Sequence, residues 1–88
     1  MVEAGEPYHY RPDVLDELWR HGVHPTEWTR PELVHEFVSD LYRHELRRLR
    51  QRLLAREFPK REYAAFVVGL RKRYRLVSMR AHEWLESR

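Results

Sequence analysis

The sequence predicts an all-α fold. It is a small helical bundle with three principal helices, at about 12–21, 30–57 and 60–75, and a short C-terminal helix at about 79–86. Three observations predict it. Apolar residues recur three and four apart in three separate stretches. Pro12, Gly22, Pro31 and Pro59 stand where such helices would start and stop. Only Phe58-Pro59-Lys60 separates the second stretch from the third, and so short a turn joins antiparallel neighbours. Helices 2 and 3 are therefore expected as an antiparallel hairpin, with helix 1 closing the core.

Residues 1–11 are polar, contain Gly5 and Pro7, and are expected as an irregular N-terminal segment ahead of a single helical domain over 12–88. Tyr8 and Tyr10 are the members of that segment suited to the core. Pro12 opens the first helix, and Asp13 and Asp16 suit its positive N-terminal end. Val14, Leu15, Leu18 and Trp19 form its apolar stripe, and Gly22 is the expected left-handed stop.

The second helix is the longest. Thr29-Arg30-Pro31-Glu32 fits a capping box, with Trp28 and Leu33 at the two staple positions. Leu33, Val34, Phe37, Val38, Leu41, Tyr42, Leu46, Leu49 and Leu53 follow at helical spacing. Taken together they drift around the cylinder, which predicts a supercoiled seam or one partner for each half. In the third helix, Tyr63, Phe66, Val67, Leu70, Tyr74 and Val77 share a narrow stripe. The apolar run Tyr63 to Leu70 also fits a strand, but the continuing three–four spacing favours helix. Ser78 is the expected cap of the last helix, which would dock through Met79 and Trp84.

The 88 residues include 17 Lys and Arg, 14 Asp and Glu, and no Cys. A chain of this size has a modest core. It has no disulfide framework and no cysteine metal site. The start of the chain lacks the apolar core of a signal peptide, and no apolar run approaches the ~20 residues of a membrane span. A cytoplasmic protein with no membrane association is expected. The net charge of +3 is sharply divided: residues 1–40 carry −6 and residues 43–75 carry +9.

That basic block holds the candidate site. Arg43, Arg47, Arg48 and Arg50 on the second helix, with Lys60, Arg61, Arg71, Lys72 and Arg75 on the third, are the candidate partner- or phosphate-binding residues. The planar fork of arginine grips phosphate or carboxylate bidentately. Arg43, Arg47 and Arg50 share one face, away from Leu46, Leu49 and Leu53. The structural alternative is a solvated surface partly neutralised by the chain's own acids. The aromatics follow the apolar stripes and read as core rather than as a stacking platform. Ala65, Val68 and Gly69 lie off the main stripe. They mark close approach of another helix, either the chain's own first or last helix or a dimer partner.

Six histidines are present at 9, 21, 24, 35, 44 and 82. No His-Glu-x-x-His pair occurs, so no metal is expected. There is no glycine-rich phosphate loop, and none of Ser39, Ser78 and Ser87 lies in a nucleophile motif, so neither a cofactor nor a catalytic residue is assigned. A small helical bundle gripping a dianionic substrate with Arg and Lys is the one enzyme architecture the pattern accommodates, and no motif supports it. The expected function is a non-enzymatic binding or interaction module. Its basic hairpin would meet nucleic acid or an acidic protein partner. The alternative is a structural homodimer or accessory subunit with no nucleic-acid role.

Overall fold

The computed structural model describes residues 5–87. Its elements are α1 (Pro12–Arg20), α2 (Pro31–Leu54), a 3-10 turn (Lys60–Glu62), α3 (Tyr63–Arg73), α4 (Arg75–Ser78) and a final 3-10 turn (Ala81–Trp84). The fold is all-α, with α2 and α3 packed as a hairpin. Among the described residues the only β pairing is an isolated antiparallel bridge between Tyr10 and Leu85.

Helix α1 begins at Pro12, with Asp13 in its first turn. Val14 and Leu18, one turn apart, are fully buried. Gly22 stops the helix at φ 77°. Its N–H reaches Trp19 O (2.9 Å) and the Val23 N–H reaches Leu18 O (2.8 Å), the paired bonds of a Schellman ending.

The start of α2 differs from the expected capping box. Its N-cap is Arg30, with no side-chain cap bond. The Thr29 hydroxyl instead accepts from the Thr26 N–H at 2.9 Å. A local side-chain turn has taken the group that would have capped the helix. The Trp28–Leu33 staple is not a buried contact, because both side chains are more than half exposed.

The inner stripe of α2 stays on one face, while its partners change along the helix: it packs on α3, on α4 and on the final 3-10 turn. Pro31, Val34, Val38 and Leu49 are buried, with Leu41, Tyr42, Glu45, Leu46 and Leu53 partly so. This is one straight face, and Glu45 is a member of it. Leu33 and Phe37 point outward at 56% and 52% exposure. The helix ends at Leu54, three residues before the expected 57, in a second Schellman ending. Arg56 N–H bonds Leu53 O and Glu57 N–H bonds Arg52 O, each at 3.0 Å, with Arg56 left-handed at φ 60°.

Helix α3 stops at Arg73 rather than 75, because Tyr74 leaves helical geometry (φ −111°, ψ 37°) to turn the chain into α4. The expected helix over 79–86 is a single 3-10 turn. Ser78 is not its cap; its hydroxyl donates back to Arg75 O at 2.7 Å. Glu83 serves the turn instead, its carboxylate accepting from the Arg80 N–H at 2.7 Å. Trp84 docks as expected: it is fully buried, and its indole N–H donates to Leu76 O at 3.2 Å.

The core gathers Tyr10, Val14, Leu18, Val34, Val38, Leu70, Tyr74, Leu76 and Trp84. Residues 1–4 of the expected irregular segment lie outside the described residues. Residues 5–11 contain no helix, yet they are strapped to the C-terminal turn. Arg11 N–H donates to Trp84 O (2.9 Å) and Glu86 N–H to His9 O (2.8 Å). The Tyr10 hydroxyl donates to Thr29 O at 2.6 Å.

All of these core residues lie in the N-terminal half of α2, the C-terminal end of α3, or the segments packed on them. The rest of the hairpin stands beyond the core. The molecule measures 53 × 27 × 18 Å, with a radius of gyration of 16.1 Å. A compact chain of this length would have about 12 Å. The difference is the hairpin, which projects as an arm.

Candidate polyanion interface

The basic block runs over the two hairpin helices and into α4, and its charges are used unequally. Arg43 is engaged within α2 by Asp40 at 2.7 Å. Arg75 reaches back to α1, pairing with Asp13 (3.1 Å) and with Glu17, and so ties α4 to the first helix. Arg11 holds Asp13 from the other side at 2.8 Å. The Arg11 hydrogen bond, followed by that of Arg75, pulls the Asp13 carboxyl below its usual 3.8. Arg47, Arg48, Arg50, Lys60, Arg61, Arg71 and Lys72 are exposed and form no ion pair among the described residues.

These side chains do not converge on one surface. Arg47 lies on the outward side of α2, opposite its buried stripe, with Arg43 and Arg50 toward one flank. Lys60 is at the tip, beside Leu54, Arg56 and Phe58. Arg71, Lys72 and Arg75 rim a groove floored by Tyr42, Val68, Tyr74 and Val77. The strongest convergence lies on the opposite flank. There Arg48 and Arg52 of α2 meet Arg73 of α3 around a cleft of about 200 Å³, with Glu45, Leu49, Phe66 and Leu70. Glu45 and Arg73 also border a wider open groove of about 690 Å³, reached by Arg20, His21 and Lys72.

Packing builds this cleft. Leu49 of α2 and Leu70 of α3 are buried and both line the cleft, and residues near them on each helix are set at its rim. On α2 these are Arg48 and Arg52, and on α3 they are Phe66 and Arg73. Phe58 packs against Phe66 as a tilted pair, ring centroids 4.7 Å apart, and the Arg52 guanidinium lies 5.6 Å from the Phe58 ring while bonding Glu57 at 2.9 Å. Phe66 keeps 42% of its surface exposed. The expectation that aromatics are confined to the core therefore fails at Phe66, and also at Trp19, Trp28 and Phe37. Arg52 and Arg73 belong to the basic block read from the sequence but not to its candidate binding residues, and Phe66 is read there as core. The signal was there: Arg48 and Arg52 are one turn apart, and Arg73 stands three residues beyond Leu70.

Ala65, Val68 and Gly69 are all exposed, and a Cβ added at Gly69 would meet nothing within 4 Å. The chain's own first or last helix therefore does not cover them.

Two histidines serve as structural ties. The His21 ring donates from Nε2 to Arg73 O (2.9 Å) and stacks on Tyr74 (4.3 Å), satisfying a carbonyl at the end of α3. The His35 ring donates from Nε2 to Met79 O at 2.7 Å. Among the described residues no three His, Asp or Glu side chains gather as a metal set. No helix among them is long and apolar enough to cross a membrane.

No family model, curated protein or solved structure matches the chain.

Proposed function

We propose that the protein is a non-enzymatic, cytoplasmic binding module whose hairpin arm grips single-stranded nucleic acid. The observation that carries this is the cleft on one flank of the hairpin, where Arg48, Arg52 and Arg73, with Glu45 as the one carboxylate, line the same space as the partly exposed ring of Phe66. Guanidinium groups supply phosphate contacts, and a ring beside them supplies a face on which a base can stack. A carboxylate-bearing protein partner would use the arginines but has no need of the ring. That difference favours nucleic acid over an acidic protein. The unpaired charges at Lys72 and Arg71, next along α3, extend the positive field past the cleft and would speed encounter with a polyanion.

The test is binding of a fluorescent single-stranded oligonucleotide by wild type, by Arg48→Glu/Arg73→Glu and by Phe66→Ala. Both arginines are exposed and form no ion pair among the described residues, so the double variant should fold. It should lose most of its affinity. Phe66→Ala should weaken binding by about 1–3 kcal/mol, the usual worth of one stacked base. Unchanged affinity in both variants would remove the cleft from the function. Binding of an acidic peptide with defined stoichiometry, and none of oligonucleotide, would turn the reading to a protein partner.

A further inference from the structure

The outward face of α2 is left over by both the core and the cleft. Leu33, Phe37, Asp40, His44, Arg47, Gln51 and Leu54 follow one another at alternating spacings of four and three, which places them along a single seam. All seven are exposed. The buried stripe of Val34, Val38 and Leu49 occupies the opposite side, and among the described residues the one printed side-chain contact on this seam is the exposed ion pair of Asp40 with Arg43 one turn on. Its large apolar members stand at the two ends, Leu33 (56% exposed) and Phe37 (52%) at one and Leu54 (71%) at the other. Between them the charge changes sign, with Glu36 and Asp40 before the midpoint and Arg47 and Arg50 after it.

A surface with apolar ends and opposite charges about its centre is complementary to itself when turned around. We propose that this face docks a second copy of the chain antiparallel, with Leu33 of one copy opposite Leu54 of the other and Asp40 opposite Arg47. The two-fold axis passes between Arg43 and His44, and every contact occurs twice, as a two-fold interface requires. Glu36 then falls beside Arg50 of the second copy. A parallel pairing is excluded by the same charges, since it sets Arg47 on Arg47 and Asp40 on Asp40. The open face of α3 is the weaker candidate for self-association. Ala65 and Gly69 offer little area, and the neighbouring Arg71 and Lys72 would meet their own kind. Arg48 and Arg52 lie on the flank of α2, so the dimer leaves the proposed nucleic-acid cleft free, and the two readings stand or fall separately.

The chain has no cysteine, which makes cross-linking a clean test. Single variants Leu33→Cys, His44→Cys, Leu54→Cys and Gly69→Cys would be oxidised mildly and sized. His44→Cys lies at the two-fold axis and should form a covalent dimer by itself. Leu33→Cys and Leu54→Cys should not, because each residue and its copy lie roughly 31 Å apart at 1.5 Å per residue. Mixed together, those two should cross-link. In the cysteine-free background, Asp40→Arg and Arg47→Asp should each weaken the dimer about tenfold, since each turns two attractions into two repulsions, and the double variant should restore it. A monomeric mass at high concentration for the wild type overturns the proposal. So does self-linking of Leu33→Cys, or linking through Gly69→Cys in place of His44→Cys.

Discussion

Arg56 adopts φ 60° at the residue after the cap of α2, a position that glycine fills at Gly22 after α1. A side chain there costs roughly 1–2 kcal/mol, part of which glycine returns through the entropy of its unfolded chain. Arg56→Gly should therefore raise stability by about 0.5–1 kcal/mol, read as a higher urea midpoint at unchanged slope. Leu18 is at the other extreme. It is fully buried among Val14, Val38 and Trp84, and Leu18→Ala should cost about 2–5 kcal/mol through lost transfer energy and the cavity left behind. A mutant that melts with the wild type would show that α1 is not part of the core in solution.

Tyr10 and Asp13 contribute at opposite ends of the pH profile. Burial, then the charge of Glu32, then Tyr8, push the Tyr10 phenol up to about 12. Its contribution to stability is complete below 10, where the unfolded phenol ionises, and is lost as pH rises toward 12. Tyr10→Phe should flatten that alkaline loss, while giving up the hydrogen bond to Thr29 O, worth about 1 kcal/mol. Asp13 runs the other way. Its pKa is depressed by Arg11 and Arg75, so its contribution is complete above 3.8 and fades as pH falls through the lower folded value. Asp13→Asn should shift the acid limb of a denaturation series and leave neutral pH behaviour close to its new baseline.

At the scale of elements, what could be read in advance followed from periodicity. The three–four spacing and the bounding prolines locate α1, α2 and α3, and Phe58-Pro59-Lys60 forms part of the hairpin turn. Caps were legible only where geometry demands a residue type. Gly22 could be read, because a left-handed stop favours glycine. Thr29 could not, since its hydroxyl had a competing partner at Thr26 that spacing does not reveal. The facing of α2 was misread for a related reason. Counting Leu33 and Phe37 as core made the stripe drift, whereas the true stripe includes Glu45, a carboxylate that the Tyr74 hydroxyl approaches at 3.4 Å. That contact, after burial, raises the Tyr74 pKa through the nearby charge of Glu45. The candidate basic residues were legible as a block, but not their partners: the engagement of Arg75 by Asp13 and Glu17 spans most of the chain. Within α3, Gly69 has open space around it and an ordinary helical setting. Gly69→Ala should stabilise the protein by about 1 kcal/mol, as expected for an exposed helix interior. A loss of stability there would mean that another helix lies closer to that face than the chain's own fold provides.

At the scale of the whole molecule, a small core anchors a projecting arm. The acids of the first 40 residues are spent in part on fixing that anchor, through Asp13 and Glu17, and in part on the outer seam of α2. Among the described residues most bases without an ion pair lie on α2, α3 and the turn between them, with Arg20 and Arg80 elsewhere. In the proposed function, the flank with Arg48, Arg73 and Phe66 binds single-stranded nucleic acid through phosphates. The most direct measurement is the affinity of a single-stranded oligonucleotide across a salt series, for wild type and Arg48→Glu/Arg73→Glu. Three phosphate contacts predict a log–log slope of about −2 for the wild type, and loss of two should flatten it by about 1.4. Absence of binding at low salt, or the same slope for both proteins, would contradict the claim.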